Sequence, residues 1–496
     1  MYAAKPLGIF FVGVLLTPAV VAARTTVAVA PLVTTAASEY RWVGAALAGA
    51  LSNRTAMQPE LNTITVRQLI STMRGDDIDP ATVIDPVIGA RLGKLVGADV
   101  MLAGSYEVHA PDITVSLWAI EPRTGRALGK YEFAGKLDAL VGVEVRAATA
   151  LASALGVATP NVAAGAFGTE SIEAWRHSTL ALAALDGQSL GPQAADPHNE
   201  LIVSKAVLEA AREQALAATK SDPDFGEGWS ALGTAQALLG ETEDAWRSLG
   251  KATALGFGHY PTTVLAAAFV RMRQGRFDEA AKIFNAAILR HPGVLLTRNY
   301  LAELYTMVGQ YNDALLVYDA YLESAPHLPW VLAQRGYVKS KLGDRVGATA
   351  DSAAAVELVP DSAALLIELA SRYIDTGRLV GAEDALQQAI VRCPDETRAH
   401  VRLGYVYLLE GKDELSITTS EKALVLAEKR ANGHDKAYAH LNLARAYGHF
   451  GKLDEAFAHL AAAKQAGLAS LTEVEQDPKL ARLRQDARYR QVVPAN

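Results

Sequence analysis

Cysteine is nearly absent from this chain of 496 residues. A single Cys393 excludes an intrachain disulfide and a thiolate-rich metal site, and its place beside Pro394 at a helix end suits plain packing. Basic runs are missing as well. No block of five or more Lys/Arg occurs, and the formal net charge is -7. Phosphate binding needs a concentrated basic surface, so nucleic acid is not expected as a partner. The chain also lacks a G-x-x-x-x-G-K-[ST] phosphate loop, a dinucleotide fingerprint and an H-E-x-x-H pair. No catalytic residue, cofactor or metal is therefore expected, and the chain reads as a non-enzyme.

Long apolar runs are confined to the beginning. Leu7 to Ala22 carries no charge, Lys5 precedes it, and Val21 and Ala23 are the small residues signal peptidase favours. The run is broken by Pro18 and falls short of the about 20 residues a membrane span needs. Residues 1–23 are read as a cleaved secretory signal, with an uncleaved inner-membrane anchor as the alternative. No cysteine follows the run, which excludes a lipoprotein anchor. A periplasmic or secreted protein is expected, with no membrane span after signal cleavage.

What is present is ordinary for a folded protein: half of the residues are apolar and a fifth are charged. Residues 24–157 alternate strand and helix patterns. Thr26 to Val33 is a β-branched run ended by Pro31, and Ser38 to Asn53 has apolar residues at helical spacing with Ser38 as N-cap. Asn62 to Val66 reads as a strand, Gly75 to Pro80 as a loop, and Val83 to Val96 as a helix stopped by Gly97. Val100 to Val108, Ile113 to Ile120 and Leu128 to Phe133 then form an antiparallel meander across turns at Pro111-Asp112 and Thr124-Gly125. Leu137 to Leu155 closes a small α+β layer. The Gly97-Ala98-Asp99-Val100 run and the Thr124-Gly125 phrase resemble the TolB amino-terminal-like domain, which is related to the CsgG family. That resemblance implies binding or assembly and brings no catalytic residues.

Residues 158–169 are small and polar, a linker by composition. The region 170–467 is periodic. Ala280, Ala314, Ala348 and Ala382 recur every 34 residues, as do Pro292, Pro326, Pro360 and Pro394. Gly275, Gly309, Gly343, Gly377 and Gly411 keep the same step. Small residues let two antiparallel helices touch, Phe284, Tyr318 and Leu386 fill the spaces between pairs, and the prolines end each second helix. The phrases Trp229-Ser230-Ala231-Leu232-Gly233, Leu301-Ala302 with Tyr305, and Leu443-Ala444 with Tyr447 resemble the tetratricopeptide repeat. About eight helix pairs are expected, stacked as an all-α superhelical solenoid after the small α+β domain. Residues 468–496 resemble the capping segment of bacterial tetratricopeptide proteins.

By repeat register the inner face includes Phe269, Asn299, Trp330, Tyr337, Lys341, Arg398, Arg402, Tyr405, Tyr438 and Arg445. Aromatic, Arg and Asn side chains suit a peptide groove. The carboxylate clamp of chaperone-binding relatives is incomplete, because Ala333 and Tyr337 stand where it needs Lys and Asn. Gly187-Gln188-Ser189-Leu190-Gly191 matches a serine-hydrolase string but follows a helix instead of a strand. His434-Asp435 and His440 read as solvated surface, not a metal site. The leading function is an exported scaffold or adaptor that binds proteins or peptides through the concave groove of the array and through the N-terminal domain, in envelope assembly or maintenance. The alternative is a regulatory subunit resembling the non-catalytic half of repeat-containing bacterial cyclases or transcription regulators. Partner identity, pathway and oligomeric state are left open.

One substitution tests the register. Ala314→Glu places a charge where two helices touch and should cost at least about 2 kcal/mol. Thermal melting followed by circular dichroism checks it, and an unchanged transition would refute the register.

Overall fold

The computed structural model describes residues 24–34, 40–75, 86–157, 169, 171–185, 205–258, 260–429, 432–468 and 471–493. Its first unit is a five-stranded mixed sheet. Strands β1 (Thr25–Val29) and β2 (Leu61–Ile64) run parallel, and β1 also pairs parallel with β3 (Val100–His109). From β3 the chain turns back through β4 (Asp112–Glu121) and β5 (Arg126–Lys136) in antiparallel pairing. The order across the sheet is β2-β1-β3-β4-β5. The meander expected from the turn residues is therefore present.

Helices cover both faces. On one side α1 (Arg41–Ala56) and α4 (Leu140–Leu155) pack over Val27, Val29, Leu102, Val115 and Leu117. Their contact contains a buried ion pair, Arg54 Nη2 donating to Glu144 Oε2 at 2.7 Å. Burial nonetheless pushes the Glu144 carboxyl above the usual range, despite Arg54. On the other side lie α2 (Val66–Gly75) and α3 (Pro86–Val96), over Ala28, Ile64, Met101 and Ala103.

Three local expectations need correction. The first helix starts at Arg41 after Tyr40, not after Ser38, which lies outside the described residues. The second strand ends at Ile64, and Val66 already begins α2. Gly75 is the last residue of that helix, not the start of a loop. Thr65 explains the switch: its hydroxyl accepts from the Gln68 N–H at 3.3 Å, while Gln68 Oε1 accepts from the Thr65 N–H at 3.1 Å. This reciprocal cap starts the helix.

The remainder is a run of paired helices. The first four pairs are α5 (Ile172–Leu185) with α6 (Lys205–Ser221), α7 (Gly226–Leu239) with α8 (Thr242–Ala254), α9 (Pro261–Arg273) with α10 (Phe277–Arg290), and α11 (Leu295–Met307) with α12 (Tyr311–Ser324). Then come α13 (Pro329–Lys341) with α14 (Arg345–Leu358), and α15 (Ala363–Asp375) with α16 (Leu379–Arg392). The last two are α17 (Thr397–Leu409) with α18 (Asp413–Lys429), and α19 (Gly433–His449) with α20 (Leu453–Gln465). Ala280, Ala314 and Ala382 are 0 % exposed and Ala348 1 %, as close helix contact requires. Gly275 (φ 72°) and Gly309 (φ 76°) take the left-handed conformation that reverses the chain after a first helix. At the far end Val474, Leu480, Leu483, Tyr489 and Val493 seal the apolar side of the last pair.

The two units share a core. Leu69, Met73, Leu92 and Leu95 of the sheet unit fall in one buried cluster with Leu295, Tyr321, Leu328 and Val331 of the array. On the opposite face of the sheet, Trp175 and Phe225 join the cluster under α1. The outer edge of β2 is closed by the turn before α11: the Thr63 N–H donates to the Gly293 carbonyl at 2.9 Å, and Asn62 Nδ2 donates to the Ser324 carbonyl at 3.0 Å. Two glycines permit this approach. A Cβ on Gly293 would lie 2.2 Å from the Leu61 carbonyl oxygen, and one on Gly97 would lie 2.0 Å from that of His327. The sheet unit, expected to dock a partner of its own, thus spends one edge and parts of both faces on the array.

Gly293→Ala should loosen this contact without disturbing helix formation. Hydrogen exchange should rise at Leu61–Ile64 and α2 while α15 to α20 keep their protection. Unchanged exchange at β2 would show that the glycine does not control the approach.

Candidate functional site

The first helix of each pair presents one residue per 34-residue step at the same register: Phe269, Tyr337 and Tyr405 hold one such row. The structure divides the ten expected groove residues into two groups. In the first half of the array Asn299 is buried at 9 % exposure. Trp330 and Tyr337 pack against the core shared with the sheet unit, and Trp330 meets Tyr321 edge-on at 5.5 Å. Phe269 lies against Trp246 and the α7–α8 pair, with Arg273 over its ring at 5.9 Å. This half is largely covered.

A residue the sequence reading passed over sits here. Glu303 occupies the same row, one period after Phe269 and one before Tyr337, so the register alone could have found it. Its Oε1 accepts from Asn299 Nδ2 at 2.7 Å. Its Oε2 is buried with no partner among the described residues, as are Asn299 Oδ1, Asn62 Oδ1, Thr63 Oγ1 and Gln334 Oε1. Burial pushes the Glu303 carboxyl from 4.5 up to about 8, with only the Asn299 amide opposing it. Tyr318 is driven well above 10 by burial and by facing Glu303 and Tyr321. The layer where the units meet is therefore polar as well as apolar, and such groups are costly when incompletely paired.

The second half differs. Tyr337 lies at its threshold, with Lys341 Nζ 5.2 Å and the Arg372 guanidinium 5.7 Å from its ring centre. Arg372 itself is 9 % exposed and pairs with Asp375 at 3.3 Å. Arg398 is held by Glu396 at 3.0 Å. Burial alone would lower its pKa, but the carboxylates of Glu396, Glu368 and Asp435 outweigh that and keep it raised. Arg402 is half-buried, and no hydrogen bond or ion pair engages its guanidinium among the described residues. Tyr405 carries the Arg445 guanidinium at 5.0 Å. Arg445 in turn pairs with Asp477 of the capping segment, and Lys479 Nζ donates to the Leu408 carbonyl at 3.0 Å, so that segment crosses the end of the groove. Tyr438 stacks at a tilt on His434, 4.7 Å away.

The start of α19, after the irregular stretch, is pinned by a reciprocal cap. Asn432 Oδ1 accepts from the Asp435 N–H at 3.1 Å, and Asn432 Nδ2 donates to Asp435 Oδ2 at 2.8 Å. Nearby His440 is buried, not solvated as expected. Its Nδ1 lies 3.0 Å from His459 Nδ1, and burial lowers the pKa of both rings. No group of three or more His, Cys, Asp or Glu that could hold a metal exists among the described residues. Ser189 lies outside them. No described helix is long and apolar enough to cross a membrane.

A chain of antiparallel helix pairs in one register is a helical-repeat solenoid. A family model described as "Tetratricopeptide repeat" matches residues 265–329 and 367–433, and these segments are tetratricopeptide repeats. No curated protein matches the chain. Among solved structures, the chain is similar to a thermophilic repeat protein of Thermus thermophilus (23 % identity, 38 % of this chain and 99 % of that one, TM-score 0.33). A tetratricopeptide repeat protein from Parabacteroides merdae is 18 % identical over 60 % of this chain and 96 % of its own, with TM-score 0.38. PilW, a type IV pilus biogenesis factor, is 16 % identical over 44 % and 94 %, with TM-score 0.36.

Glu303 gives a signed pH dependence. The folded protein holds a proton on this group that the unfolded chain releases above its ordinary 4.5, so the group opposes folding increasingly as pH rises from there to about 8. Glu303→Gln should melt higher than wild type at about pH 8, with the gap shrinking toward about pH 5. A gap independent of pH would remove the carboxyl from this role.

Proposed function

We propose that the chain is a non-enzymatic adaptor that binds a segment of another protein along the second half of its array, between α15 and α19. The supporting observation is the contrast between the two halves: in the first, Trp330 and Tyr337 pack on the core shared with the sheet unit, whereas the second presents Tyr405, Arg402 and Arg398 on one helix and Tyr438 on the next first helix, with no hydrogen bond or ion pair on Arg402 among the described residues. Half-buried aromatic and Arg side chains supply contact area and directed donors together. The sheet unit supports the same reading in a different way. Its resemblance to TolB amino-terminal-like domains points to assembly work, and here it braces the array. The reading includes export to the periplasm or beyond, which rests on the apolar run from Leu7 to Ala22 and on the small residues Val21 and Ala23. A role in envelope assembly or maintenance follows from that location.

A photo-crosslinking residue at Tyr405 tests the groove, with the same residue at exposed Val425 as control. Position 405 should capture specific polypeptides that position 425 does not. Arg402→Ala should reduce that capture strongly, since loss of a central interface side chain costs roughly 2 kcal/mol or more. Equal labelling at both positions, or none at 405, would count against the groove. Mass spectrometry of the mature N-terminus separately checks export.

A further inference from the structure

The two edges of the sheet are treated differently. The β2 edge is closed by the Thr63 to Gly293 hydrogen bond. The β5 edge is open: no strand pairs with its outer side among the described residues. At 11 residues β5 is also the longest strand, and it contains no proline. An open edge of that length is a template for another strand, and proteins that keep such edges single place repelling charges or bends along them. β5 carries one such bend, a bulge that leaves Leu128 without a partner on β4, but from Gly129 to Lys136 its ladder is regular and its charges alternate in sign at Lys130 and Glu132.

We propose that β5 pairs antiparallel with β5 of a second copy of this chain, about a two-fold axis through Tyr131. In that register Lys130 of each copy stands opposite Glu132 of the other, so the interface carries two complementary cross-strand pairs. Both side chains lie on the exposed face of the strand, at 54 % and 61 % exposure, already 2.8 Å from each other within one chain. Phe133 falls opposite Gly129, over which the Tyr131 ring of the same strand already lies. Leu128, 42 % exposed, is the bulge residue, so the regular register ends there. The cations at the two ends of β5 are matched within their own chain, Arg126 with Glu121 at 3.7 Å and Lys136 with Asp112 at 2.9 Å. The Ala134 carbonyl accepts from Arg146 Nη2 at 2.6 Å, so α4 occupies that end of the edge and the pairing centres on Lys130 to Glu132. Pairing of this kind is isologous, and it closes because the same edge serves both copies. The array meets the sheet unit at the β2 edge and through both helix layers, and none of its described residues pairs with the outer side of β5.

Sedimentation equilibrium on the full chain and on two exposed-surface variants tests this. Wild type should dimerise. Lys130→Glu sets Glu against Glu at both pairs, and Glu132→Lys sets Lys against Lys, so each alone should weaken dimerisation by about tenfold or more. Mixed in equal amounts, the two variants should form a heterodimer at least as tight as the wild-type dimer, because every cross-strand pair is again opposite in sign. Far-UV circular dichroism confirms that all three are folded. Wild type remaining monomeric through the high micromolar range overturns the proposal. So does a dimer insensitive to both reversals, or a mixture that fails to associate.

Discussion

Two helices can run side by side at close range only where their facing side chains are small, and that constraint underlies every helix pair here. Ala245, Ala280, Ala314, Ala348, Ala382 and Ala456 are each sealed at the crossing of a pair. Around them the large residues are displaced to the seams between pairs, where Phe284, Tyr318 and Leu386 are equally sealed. No pair buries its seam alone, so stability is shared along the stack and each pair depends on its neighbours. The left-handed glycines and the prolines after the second helices follow from the same demand for short, sharp connections.

Onto this stack the sheet unit is fastened through groups of a different character. Backbone bonds from β2, a ring of leucines and methionine, and a layer of incompletely paired amide, hydroxyl and carboxyl groups meet within one contact surface. Apolar burial supplies attraction there, while the polar layer makes the contact selective, because any shift leaves more of those groups unmatched. The consequence for function is asymmetry. One half of the array is committed within the molecule, and on the other no hydrogen bond or ion pair engages Arg402 among the described residues.

Much of this was legible in the sequence, for identifiable reasons. The helix pairs announced themselves because small residues, glycines and prolines repeat in one phase, and local geometry determines them. The three-stranded meander was legible because Pro111-Asp112 and Thr124-Gly125 are turn residues at the right spacing. What escaped were features decided at a distance. The start of α1 was displaced because Tyr40, whose carbonyl accepts from the Tyr106 hydroxyl at 2.7 Å, holds the entry to that helix. The helix α2 was hidden behind a β-branched run whose final residue, Val66, serves the helix instead. His440 read as surface because its partner His459 lies on the other helix of the pair. The groove residues all lie on first helices of the pairs, but nothing in a 34-residue period says that Asn299 is buried or that Trp330 packs into the core shared with the sheet unit.

The contact between the sheet unit and the array joins segments remote in sequence, from Arg24 beside Gly293 to Arg91 paired with Asp361. A ribosome delivers these in order. Leu69, Met73 and Leu95 emerge first, yet their covering surface exists only after the chain has grown past α13. At roughly 5–20 residues per second, the nascent sheet unit waits for the order of ten seconds with an apolar face uncovered. The helix pairs carry no such delay, since each finds its neighbour as soon as it is made. Biogenesis of this protein is therefore governed by its earliest segment, which is the last to be completed.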